Sequence, residues 1–262
     1  MLFFIAYKGK KWYNMSELGD VMKKKKFILL SLLLIGFCVG LFTFFHIPKT
    51  IEKKDNKEPE IIEIEPVTQE VNYQEIIQNF REKYNNNDIV AILEMPGILE
   101  EVVVQTDNND YYLHYDATHT ENIIGATFLD YRNDIRESKK LLIYGHSDPE
   151  GQLPFVQLKN YNHKEYWEDH KYIYLLDEVG RRKYEVFSSY IESKDFDYVN
   201  LESFGKLTYQ EHLKKLQKKS FVYNQTELTD DTKILLLQTC SFDERVKSDT
   251  KFQIVIAKEI ED

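Results

Sequence analysis

The run Leu235-Leu236-Leu237-Gln238-Thr239-Cys240 constrains this chain most. It is too short for a helix and too apolar for a surface strand. Such a run is read as a strand buried on both faces, whose end is where a side chain can emerge into a cleft. A second run, Leu141-Leu142-Ile143-Tyr144, closes on Gly145-His146. One strand delivers a thiol and the other an imidazole, and the reading is that the two groups meet.

The flanking pattern says what these strands belong to. Tyr73 to Asn85 sets Ile76, Ile77, Phe80 and Tyr84 on one helical face, which predicts an amphipathic helix. From Asp88 the pattern shortens to strand-like pieces: Ile89 to Leu93, Glu101 to Gln105, Tyr111 to Leu113, Gly125 to Asp130 and Lys140 to Tyr144. A short helix is predicted around Asn162 to His170. Lys171 to Leu176 and Lys183 to Ile191 read as a hairpin through Gly180. Tyr209 to Lys219 reads as a surface helix, and Ile234 to Thr239 and Phe252 to Ala257 as closing strands. Many short strands with few helices predict a mainly β fold, a barrel or sandwich.

The start of the chain is different. Lys23 to Lys26 precede a nearly unbroken apolar stretch, Phe27 to Ile47, about the length that crosses a bilayer. Met22, directly before the lysines, reads as the natural beginning. Basic residues on the N-terminal side predict that this end stays in the cytoplasm. Phe44-Phe45-His46-Ile47-Pro48 lacks a small-residue cleavage site, so an uncleaved anchor is expected rather than a signal peptide. Residues 48–72, charged and carrying Pro59 and Pro66, read as a linker. The expected organisation is a cytoplasmic segment at 1–26, an anchor at 27–47, a linker at 48–72 and a catalytic domain at 73–262. The net charge of -10 argues against a nucleic-acid partner.

Of the two cysteines, Cys38 lies inside the apolar stretch, so Cys240 has no disulfide partner in the folded part. A thiol attacks only as thiolate and needs a basic neighbour. Among seven histidines, His146 alone follows an apolar strand and a glycine and then meets the turn formers Ser147-Asp148-Pro149. The histidines lack tight metal spacing and no second cysteine lies outside the apolar stretch, so no metal site is expected. Acyl transfer also needs a donor for the developing oxyanion. Arg245, five residues after Cys240, is the only nearby arginine.

These motifs resemble the sortases, and class B sortases in particular. Ile143-Tyr144-Gly145-His146 and Leu237-Gln238-Thr239-Cys240 are similar to the family's two signatures, in the family's order. Asp88 to Leu93 with Met95-Pro96-Gly97, Asp107 to Leu113, Gly125 to Asn133, Lys183 to Phe187 and Asp195 to Tyr198 extend the likeness from about Tyr73 to the C-terminus. The resemblance implies an eight-stranded sortase-type β-barrel with peripheral helices, preceded by a transmembrane helix, on the outside of a Gram-positive cell. It implies cleavage after Thr in a C-terminal sorting motif of surface proteins, and transfer of the thioacyl group to a peptidoglycan amine or a pilin lysine. By motif, Cys240 is the nucleophile and His146 the acid/base, with Asn109, Leu113, Tyr144, Tyr198 and Gln238 in the substrate groove and no cofactor. One departure stands out. The family's arginine at the start of the last strand is replaced by Phe252 after Lys251, which leaves Arg245, or Lys251 as a point charge, to take its place. A papain-like peptidase fits less well, because there the nucleophile opens a helix and precedes the histidine. A barrel kept only as a binding or assembly module is the other reading, supported by the missing arginine.

Overall fold

The computed structural model describes residues 6–8, 11–13, 71–194, 196–201, 207–222 and 224–261. The chain divides into two units, Met1–Val67 and Thr68–Asp262. In the first, β1 (Ala6–Lys8) and β2 (Lys11–Tyr13) pair as an antiparallel hairpin. The expected anchor at 27–47 and nearly all of the expected linker lie outside the described residues. Among the described residues, no helix is long and apolar enough to cross a membrane.

The second unit is an eight-stranded barrel. Its strands are β3 (Ile89–Met95), β4 (Leu99–Val104), β5 (Phe128–Leu129), β6 (Lys140–Tyr144), β7 (Tyr172–Leu176), β8 (Arg181–Glu192), β9 (Ile234–Cys240) and β10 (Phe252–Ile260). Around the closed sheet they run β10-β8-β7-β3-β4-β5-β6-β9. Most neighbours are antiparallel, but β4 with β5 and β6 with β9 are parallel.

Side chains alternate across each strand, and here both faces are covered. Leu141, Ile143, Leu235, Leu237, Val255 and Ala257 point to the barrel interior, where Phe155, Leu158 and Tyr161 join the same core. Leu142, Ile234, Leu236, Ile254 and Ile256 point outward under Tyr198, Leu201, Leu213 and Leu216. That double burial is why β6, β9 and β10 read as continuous apolar runs. Helix α1 (Tyr73–Tyr84) closes a third layer, with Ile77 against Ile92 and Leu176.

Two expected strands change. Tyr111–His114 is a helical turn, α2, because the Asn108 side-chain oxygen accepts from the backbone N–H groups of Asp110 and Tyr111 and winds the chain. Gly125 to Asp130 is strand only at Phe128–Leu129. Gly125 turns at φ +64°, where a Cβ would stand 2.4 Å from the Tyr112 carbonyl oxygen. The 3-10 segment Pro154–Asn162 had no periodic signal. It precedes α3 (Lys164–Asp169), and α4 (Tyr209–Lys218) starts on a Thr208–Glu211 capping box.

Candidate active site

The parallel pair β6 and β9 decides where the sulfur and the imidazole lie. Tyr144 is level with Gln238, and the Gly145 N–H donates to the Gln238 carbonyl at 3.1 Å. Because the two strands run parallel, His146 leaves the end of β6 at the same rim where Cys240 ends β9. Adjacent strands lie about 4.8 Å apart, and the Ser147 hydroxyl holds the two ends together by donating to the Cys240 carbonyl at 2.7 Å. Residues two apart on a strand share a face, so Gln238 and Cys240 lie in one row on β9, with Tyr144 paired beside Gln238.

Gly145 is part of this arrangement. The Phe155 ring lies so close beneath it that an added Cβ would meet ring carbons at 2.6 Å. The small residue therefore lets the 3-10 segment brace the strand end that carries His146.

Cys240 is exposed at the strand end. Partial burial pushes its thiol pKa up, and no neighbouring charge pulls it back. Burial pushes His146 down, the nearby His114 adds to that, and the Leu113 carbonyl facing the ring pushes the other way. That carbonyl favours a proton on the nitrogen it faces. Nε2 is shielded from solvent and has no hydrogen-bond partner among the described residues, so it keeps a lone pair. Both shifts favour the neutral forms of the thiol and the imidazole.

A cleft of about 410 Å³ opens beside Cys240 and includes Thr239, Phe242, Asp243, Arg245 and Gln253 in its lining. Arg245 is thus on the cleft wall, but its guanidinium is held by Asp243, with Nε to Oδ2 at 2.9 Å and Nη2 to Oδ2 at 2.5 Å, and lies over the Phe221 ring. Lys251 is engaged elsewhere. Its Nζ donates to the carbonyls of Asp243 and Val246 and staples the 241–251 loop from within. Phe252 is level with Cys240 across β10 and β9.

The five groove residues fall into two bonded sets and a single contact. Asn109 and Tyr144 both donate to Asp130 Oδ2, at 3.1 and 2.7 Å. Tyr198 is only 1% exposed and donates to Gln238 Oε1 at 2.7 Å, so it stands behind Gln238. Leu113 is exposed and bears on His146 through its carbonyl. Asp130 and Arg132, which tie the first set together, escaped the sequence reading. Their spacing, i and i+2 at the end of a short strand, was a weak signal. Among the described residues, no three His, Cys, Asp or Glu side chains converge so that they could hold a metal ion.

A sortase-domain family model matches residues 93–260. Sortase B of Staphylococcus aureus is 25% identical over 256 residues, covering 90% of this chain and 98% of that protein. Sortase B of Listeria monocytogenes is 26% identical over 84% of this chain and 92% of its own length. The chain belongs to the class B sortases. The crystal structure of Clostridium perfringens sortase B superposes with a TM-score of 0.62 at 26% identity, over 70% of this chain and 99% of that one. A Staphylococcus aureus sortase B–substrate complex gives 0.60 at 26% identity, over 72% and 93%. Sortases are cysteine transpeptidases, so the reaction class of this sortase is acyl transfer through a thiol. The eight-stranded barrel matches the expected sortase fold.

Proposed function

We propose that this sortase is tethered to the membrane through residues 27–47, with its N-terminus in the cytoplasm and its catalytic domain outside. It cleaves a C-terminal sorting motif of surface proteins after Thr and joins them to an amine of peptidoglycan or to a pilin lysine. The observation that supports the chemistry is the parallel pairing of β6 and β9, which brings their ends to one rim of the barrel, where the Ser147 hydroxyl after His146 donates to the Cys240 carbonyl. Two relatives' structures support the choice of substrates. One is a sortase B with its substrate, the other a sortase B with triglycine, a peptide that ends in a primary amine.

In this reading the Cys240 thiolate attacks the Thr carbonyl carbon. The Thr peptide bond breaks, and His146 gives its proton to the departing amine. A thioester remains on the sulfur. The acceptor amine then attacks that carbonyl, His146 takes up the amine proton, and the carbon–sulfur bond breaks to regenerate the thiolate. Arg245 steadies the oxyanion once substrate draws it from Asp243, and a guanidinium suits that task better than the ammonium of Lys251.

The test is product analysis with sorting-motif peptides and a triglycine acceptor. Amide-linked product that grows with amine concentration is expected. Hydrolysis alone at saturating amine points to a cysteine peptidase. No turnover with any peptide favours the second reading, an impaired barrel kept for binding, which the Asp243-bound state of Arg245 supports.

A further inference from the structure

Asp130 is fully buried, yet it is charged and has five donors. Oδ1 accepts from the Arg132 backbone N–H at 3.0 Å and from Arg132 Nε at 2.8 Å. Oδ2 accepts from Arg132 Nη2 at 2.6 Å, Tyr144 Oη at 2.7 Å and Asn109 Nδ2 at 3.1 Å. The Arg132 guanidinium and these hydrogen bonds outweigh burial and hold the carboxyl well below the usual carboxylate range. It is therefore an acceptor at every pH where the enzyme works.

That fixed charge dictates which atoms its neighbours can show. A carboxylate accepts only, so Asn109 must turn its NH₂ group toward Asp130. The Tyr131 backbone N–H donates only, and it meets Asn109 Oδ1 at 2.9 Å. Both contacts require the same orientation of the amide. One Asn109 N–H is left over. Tyr144 spends its single proton on Asp130, so its oxygen can only accept from a ligand. Across the register, Gln238 uses Oε1 to accept from Tyr198, which leaves its NH₂ group as donor.

From this geometry we infer that Asp130 is a positioning residue that sets the hydrogen-bond polarity of the peptide groove. Building on the proposed groove, the inference adds the ligand chemistry: the wall offers an N–H at Asn109, an acceptor at Tyr144 and N–H groups at Gln238. It takes a peptide that presents carbonyl or side-chain amide oxygens to Asn109 and Gln238, and an N–H between them to Tyr144. Asp130 touches no substrate itself. It acts through Asn109 and Tyr144, each one hydrogen bond away from it, and not in the chemistry of Cys240.

Asp130→Asn keeps the shape and puts an amide where one acceptor must serve three elements. The measurements are KM and kcat for a sorting peptide, alkylation of Cys240 by iodoacetamide, which needs no groove, and a thermal melt. In Asp130→Asn, KM rises by about tenfold, the scale of one hydrogen bond to a charged group. The kcat and the alkylation rate stay within about threefold. Asn109→Ala gives a similar rise, and Asp130→Asn adds less than about twofold in that background, because both changes remove one contact. Where Asp130→Asn does not fold, Tyr144→Phe is the deciding variant, and KM rises there too with alkylation unchanged. Unchanged KM in a folded variant, or effects that multiply in the double variant, overturn the inference while transpeptidation by the wild-type enzyme stands. Failure of the wild-type enzyme to form any acyl-enzyme overturns both readings together.

Discussion

Raising the pH across the titration of Cys240 and His146 probes the site's electrostatics directly. An ordinary thiol titrates near 8.5 and an ordinary imidazole near 6.5. Burial moves the first up and the second down, so they stand more than about two units apart. Between those values the thiolate fraction rises tenfold per unit while the imidazolium fraction falls tenfold, and their product is constant. The thiolate–imidazolium pair is then a flat minority of less than about 1%. Two assays separate this from a preformed ion pair. Peptide turnover follows a broad plateau whose acid limb lies below the ordinary imidazole value and whose alkaline limb lies above the ordinary thiol value. Alkylation of Cys240 by iodoacetamide climbs steadily through neutrality with an apparent pKa above about 8.5, and His146→Ala changes it by less than about threefold at pH 7. An alkylation step below about pH 6, lost in His146→Ala, would refute the reasoning, because it would mean a stable charged pair.

Other variants test the surroundings. Gly145→Ala forces the Phe155 ring aside and costs about 1–3 kcal/mol by overpacking. It lowers Tm by several degrees and lowers turnover, and Phe155→Leu in the same chain recovers part of the Tm. Arg245→Ala lowers kcat/KM by about 10²-fold, the scale of one oxyanion donor, whereas Lys251→Ala loosens the 241–251 loop with a smaller effect on turnover. Equal small losses for both would show that neither serves the oxyanion. Glu192 and Asp197, held below the carboxylate range chiefly by Lys219 and Lys215 against their burial, stabilise the fold above about pH 4. That stability is lost as pH falls through their folded values, so Lys219→Met makes the melt less sensitive to acid between about pH 5 and 2.

The sequence carried the barrel because double burial leaves a plain mark. Leu141 to Tyr144 and Ile234 to Thr239 are apolar on both faces, and no other common element reads that way at this length. It also carried the identity of the two strand ends, since a glycine or polar residue after such a run signals a rim. What it could not carry was contact between distant polar groups. Tyr198 looked like a groove residue, yet it lies buried behind Gln238. Asp130 ends an expected strand, and its five donor groups come from three residues, Asn109, Arg132 and Tyr144. The short helix at Tyr111–His114 depended on one Asn108 side chain, which overrode two aromatic residues of strand propensity. Arg245 is the only arginine near Cys240 in the sequence, and Asp243, two residues before it, holds its guanidinium.

Mass spectrometry of the enzyme quenched during turnover of a sorting-motif peptide tests most directly whether Cys240 and His146 form one catalytic pair. The wild-type enzyme should gain the mass of the peptide up to its Thr, mapped to Cys240. His146→Ala should form that adduct at least about 10²-fold more slowly, and Cys240→Ala should form none. An adduct on another residue, or transpeptidation that survives Cys240→Ala, would contradict it.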